Sequence, residues 1–168
     1  MIELVALACF AGLLVYAACT DVASLTIPNW VSIAMAVLFA PLALLTRMPL
    51  AEIGVHYGFA LAILAIGFFL FQANVFGGGD AKLMASAAVW TGFTAFPAFV
   101  LGTAIAGGAL ALIVLGARQW SPMLAGFPPF VTRLLTPKSG LPYGVAIMAG
   151  GLMALPALPF AANALTLP

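Results

Sequence analysis

Residues 53–80 read IGVHYGFALAILAIGFFLFQANVFGGGD. The stretch from Ile53 to Ala73 is one apolar run. At ~1.5 Å per residue it is long enough to cross a hydrocarbon core as a helix, which takes ~20 residues. It lacks the apolar/polar alternation of a membrane β-strand, which needs only ~10 residues. The run then breaks into Asn74-Val75-Phe76 and three glycines, and meets an acid, Asp80. One span, one turn and one carboxylate at the membrane boundary set the terms for the rest of the chain.

Outward from this stretch the pattern repeats. Ile2–Thr20 forms a first apolar run ending at Asp21, and Trp30–Thr46 forms a second; the link 47–52 then leads into the third. The stretch from Ala81 to Ala117 is too long for one span, and Thr91-Gly92 and Pro97 are its natural breaking points. The expectation is a short fourth helix near Lys82–Thr91, extendable to Phe96, and a fifth from about Ala98 to Ala117. A polar, proline-rich link, Arg118–Gly140, holds a short interfacial helix at Phe130–Leu135, and the last span is Leu141–Phe160. The expected fold is all-α: one polytopic membrane helix bundle, residues 1–168, with about six transmembrane helices.

Composition agrees. Of 168 residues 65% are hydrophobic and only 5% charged, five Lys/Arg and four Asp/Glu. A soluble domain carries about a quarter charged residues. This count excludes a water-soluble enzyme, a disordered chain and a nucleic-acid binder, which needs clustered basic residues. The lipid bilayer is the implied environment. Six spans put Lys82, Arg118, Arg133 and Lys138 on one side and Arg47 on the other. The positive-inside rule then makes the Lys82 side cytoplasmic and both termini extracytoplasmic. The start, Met1-Ile2-Glu3, lacks the basic region of a signal peptide, so the first run reads as a span. Cys9 and Cys19 form no CxxC pair and read as packing residues rather than zinc ligands.

Ionisable groups within apolar sequence are expensive and are functional suspects. Glu3, Glu52 and His56 fall toward the outer face, and Asp21 and Asp80 both fall at cytoplasmic helix ends. Pro28 suits the first turn of the second helix, and Asn29 suits its cap. Helices packed side by side would let the two aspartates meet. Facing carboxylates cannot both ionise comfortably and share a proton. One then takes a proton from water while the other polarises a scissile carbonyl. This is aspartic-protease chemistry, with neither metal nor cofactor. Gly77-Gly78-Gly79 lets a peptide approach the backbone closely and pair as an extended strand. Taken singly, Asp80 also reads as a helix N-terminal residue and Asp21 as an interfacial carboxylate. A proton-coupled transporter or channel using the same pair is the alternative function, and a non-catalytic assembly subunit is a third.

Gly77-Gly78-Gly79-Asp80 matches the GxGD motif of membrane aspartic peptidases, and Ala81-Lys82-Leu83 resembles its continuation in prepilin peptidases. Asp21 with Ile27-Pro28-Asn29 is similar to that family's other catalytic block, and Leu141-Pro142-Tyr143-Gly144 to the motif opening its last helix. The chain thus resembles the type IV prepilin leader peptidases, in the short form of tight-adherence (Flp-type) pilus systems. The resemblance implies a bacterial inner-membrane enzyme, its active site facing the cytoplasm. It would cut the basic leader from prepilin or pseudopilin precursors, commonly after a glycine, with Asp21 and Asp80 catalytic. It lacks the cysteine-bearing domain of the longer members, and with it the expectation of N-methylation.

Other residues keep two readings. Lys82 orients substrate or anchors to lipid phosphates. Tyr143 and Pro142 shape the mouth of the site or pack. Arg118, Arg133 and Lys138 read as anchors, and Glu52 and His56 as interfacial residues. Gly54 and Gly58 form a GxxxG match for close helix packing. Trp30, Trp90 and Trp120 fall where aromatic belts lie.

Overall fold

The computed structural model describes residues 1–119, 128–136 and 139–164. All regular structure among them is helical: α1 (Ile2–Ser24), α2 (Asn29–Leu45), α3 (Leu50–Gln72), α4 (Gly78–Arg118), α5 (Pro129–Leu135), α6 (Tyr143–Ala154), a 3-10 turn (Leu155–Ala157) and α7 (Pro159–Ala164). Trp120 and Lys138 lie outside the described residues. Helices α1, α3 and α4 are long and apolar enough to cross a membrane, and α2 and α6 are shorter apolar helices. Large side chains point outward along them; Phe69 is 71% exposed and Leu112 75%. Such surfaces are stable against lipid and not against water. The chain is an integral membrane protein.

The α1, α2 and α3 boundaries follow the apolar runs. Asp21, expected to end the first span, lies in the last turn of α1, and its carbonyl accepts the N–H of Leu25 at 2.7 Å. Pro28, not Asn29, occupies the cap position of α2, with φ −61° and ψ 135° and no side-chain cap bond. The fixed proline φ sets the entry into the helix.

The expected break between a fourth and a fifth helix falls at Gly92. Gly78–Arg118 is one run, kinked at Gly92 with φ 54° and ψ −166°, a conformation essentially reserved to glycine. Pro97, the other expected break, lies inside the helix. It sits in the first turns after the kink, where its missing N–H removes about one helical bond. The kink folds α4 back. Tyr143 packs on Gly107 in the second arm, where an added Cβ would lie 3.0 Å from the tyrosine ring. Its ring centroid is also 6.3 Å from that of Phe76, just before the first arm. Both arms therefore return to the same end of the bundle.

α3 runs antiparallel to the first arm, with Gly67 against Ala81 and His56 against Val89. α6 runs antiparallel to the second, with Gly150 against Gly102. The core centres on Trp90, which is fully buried among Phe10, Phe39 and Phe160. This corrects its assignment to an interfacial belt. Its Nε1–H donates to the Met35 carbonyl at 2.9 Å, and the Tyr57 hydroxyl donates to that of Ala36. Polar atoms in a bilayer need such internal partners. Trp30 is exposed at the start of α2 beside Tyr16.

His56 is buried rather than interfacial, stacked on Phe39. Its Nδ1 lies 2.6 Å from the Val89 carbonyl. A carbonyl can only accept, so Nδ1 carries the proton. The ring fills the space that a side chain at Gly92 would need. A Cβ at Gly54 or Gly58 would meet nothing within 4 Å among the described residues, so neither glycine makes room for a neighbouring helix there.

Candidate active site

A cavity of about 490 Å³ opens where the end of α1, the α1–α2 loop, the start of α4 and the start of α6 converge. Asp21 enters it from α1 and Asp80 from the first turn of α4. Asp21 is 5% exposed, and the two acids are close enough to interact electrostatically. Gly77, Gly78, Gly79 and Tyr143 line the same cavity. Among the residues singled out from sequence as shaping the site, Pro142 does not line it, and neither does Lys82. Lys82 faces a neighbouring cavity and donates to Asn29 Oδ1 at 3.0 Å. Helix positions two apart point to different faces, so Lys82 turns away from Asp80.

Both carboxylates touch glycine. The backbone N–H of Gly144, at the start of α6, donates to Asp21 Oδ2 at 2.7 Å. A Cβ on Gly144 would come 3.0 Å from Asp21 Cβ and Oδ2, and one on Gly77 would come 2.5 Å from Asp80 Oδ2. A Cβ on Gly79 would only touch Ile27, at 3.4 Å. So Gly77 and Gly144 leave room for the acids, while a side chain at Gly79 would make ordinary contact with the α1–α2 loop.

Sequence reasoning gave Gly144 and Asn29 no role in the site. Both lay within quoted motifs, Leu141–Gly144 and Ile27–Asn29, and that membership was the signal available. Two of the basic residues expected to act as anchors, Arg133 and Arg118, also bond the protein. Arg133 donates to the Ala23 carbonyl at 3.0 Å, two residues beyond Asp21, and so ties α5 to the end of α1. Arg118 donates to the carbonyls of Leu134 and Ser139 and to the Ser139 hydroxyl.

The arrangement offers two acids on separate helices, a backbone donor fixing one of them, and a side-chain-free approach along Gly77–Gly79. Two acids so placed can share a proton beside a backbone that a peptide can approach closely. No curated protein and no solved structure matches the chain. A family model described as the type IV leader peptidase family matches residues 8–112, well over half of the sequence and including both acids. The chain therefore belongs to the type IV leader peptidase family.

Proposed function

We propose that this leader peptidase is an aspartic endopeptidase that removes the leader from prepilin-type precursors, with Asp21 and Asp80 as its catalytic pair. The observation that carries the reading is that the two acids, on α1 and α4, face one cavity beside Gly77–Gly79. The ionised carboxylate draws a proton from a water held between the acids. That water attacks the scissile carbonyl, whose oxygen takes a hydrogen bond from the protonated carboxyl. The tetrahedral intermediate collapses as a proton passes to the leaving amine. The Gly144 N–H, bonded to Asp21 Oδ2, holds that carboxylate in place through the cycle.

The reading treats residues 1–168 as one domain with six spans: α1, α2, α3, the two arms of α4, and α6. The termini are extracytoplasmic, and the site opens to the cytoplasm of a bacterial inner membrane. The reversal at Gly92 supports that count, because it divides α4 into two arms. The substrate is a precursor whose basic leader precedes an apolar helix. Tyr143 lines the mouth of the site. The test is co-expression with a candidate prepilin, with mass spectrometry of its mature N-terminus. Wild type is expected to yield the trimmed chain, and Asp21→Asn and Asp80→Asn the full precursor at normal membrane levels. Full processing by either variant overturns the proposal.

A further inference from the structure

Asn29 opens α2, yet its side chain makes no cap bond there, and Pro28 holds the cap position. Asparagine near a helix start is favoured for such a bond. Here its side chain reaches instead across to α4, where the Lys82 ammonium lies 3.0 Å from Oδ1. An ammonium only donates, so the amide atom facing it is the oxygen. The amide thus has a held end, Oδ1 on Lys82, and a donor end, Nδ2–H2, turned away from it. Both side chains are exposed. An exposed polar pair adds little to stability, so what the contact contributes is orientation.

The two residues are placed differently. Lys82 lines the cavity of about 420 Å³ between α2, α3 and α4, and does not line the one holding the aspartates. Asn29 lines both. A donor at the aspartate cavity has a use. An extended peptide paired along Gly77–Gly79 engages one edge and leaves carbonyls along the other. Removed from water, those carbonyls need donors. Asp21 and Asp80 are committed to the chemistry. The Thr26 hydroxyl, also lining the cavity, is paired with that of Ser24 at 2.6 Å. That leaves the Tyr143 hydroxyl and the Asn29 amide as its neutral side-chain donors.

We propose that Asn29 is a substrate-binding residue whose Nδ2–H2 donates to a backbone carbonyl of the peptide beside the scissile bond. Lys82 is then a positioning residue, which acts through Asn29 by holding the amide in the donating orientation. The proposal rests on the peptidase reading and adds a contact to the peptide backbone outside the carboxylate pair. The bond is made to bound substrate and transition state alike, so its loss is read in KM rather than kcat.

The experiment uses the full chain in detergent and a synthetic precursor spanning the leader and the cut, each enzyme assayed at its own optimal pH. Asn29→Asp keeps an oxygen for Lys82 and removes the donor. It is expected to raise KM about tenfold, with kcat within about twofold and an unchanged melting temperature. Asn29→Leu, which removes both ends, should raise KM equally. Lys82→Met should raise it about threefold, and Lys82→Arg, which still donates to Oδ1, should match wild type. A residue that only ties α2 to α4 would leave Asn29→Asp at wild-type KM, and that result overturns the proposal. A second measurement replaces each carbonyl flanking the cut by a thioamide, whose sulfur is a weak acceptor. One position should raise KM about threefold in wild type and have no effect in Asn29→Leu, as a double-mutant cycle requires of a direct contact. Effects equal in both enzymes at every position overturn the proposal and leave the peptidase reading standing. If wild type leaves the precursor uncut, the peptidase reading has failed and this contact falls with it.

Discussion

A methyl group on Gly77 would lie 2.5 Å from Oδ2 of Asp80, well inside contact distance. The glycine is thus the space the carboxylate occupies. Gly77→Ala is expected to turn Asp80 away from the cavity and lower kcat by on the order of a hundredfold, since a displacement of ~1 Å has that effect. Membrane abundance should be unchanged. Processing rate per enzyme molecule, read against an immunoblot, checks it.

Gly144→Ala acts on the other acid. Its Cβ would press on Asp21 at 3.0 Å and push away the N–H that Oδ2 accepts. The expected loss is between tenfold and a hundredfold, on the order seen for misplaced catalytic groups. It should fall on kcat more than on KM, because Gly144 touches the acid. A KM effect alone would contradict it.

The mechanism needs one carboxylate ionised and the other protonated. Activity is therefore expected to follow a bell in pH. On the acid side the base is protonated and the rate falls about tenfold per pH unit; on the alkaline side the acid loses its proton and the rate falls again. The two limbs belong to the pair and not to either residue alone. Initial rates in detergent across the pH range measure this, and a profile flat through both limbs would contradict it.

His56→Ala removes the side-chain donor of the Val89 carbonyl and empties the space beside Gly92. Losing the partner of a buried polar group is expected to cost about 1–3 kcal/mol of stability, seen as a lower melting temperature in detergent. Gly92→Ala should be worse. It meets the His56 ring and also needs φ 54° with ψ −166°, which alanine avoids. In the double variant only the steric part should be recovered.

The apolar runs made α1, α2 and α3 legible; Asp21 and Pro28 bounded the first two, while α3 begins at Leu50, three residues before the expected Ile53. The reversal in α4 was half legible. Gly92 and Pro97 were equal suspects by residue type, and only the backbone conformation separates them. His56 looked interfacial because the predicted topology put it with Glu52 toward the outer face, yet Glu52 is exposed and His56 is buried. The difference arises across the bundle, where Gly92 offers no side chain. Trp90 was misread for the same reason, since its partner Met35 lies on another helix. Asp21 and Asp80 stood out because carboxylates are so few in the chain. Lys82 was drawn toward Asp80 by proximity in sequence, which a helix converts into opposite faces.

The hydrogen bond from Gly144 to Asp21 spans 123 residues of chain. During synthesis Asp21 enters the membrane early, and Asp80 follows well before α6 exists. A nascent chain arrested between α4 and α6 would hold both acids yet lack the donor that orients the first. Competence thus arrives late and all at once, when α6 docks, and a ribosome-stalled intermediate should be inert toward precursors already in the same bilayer.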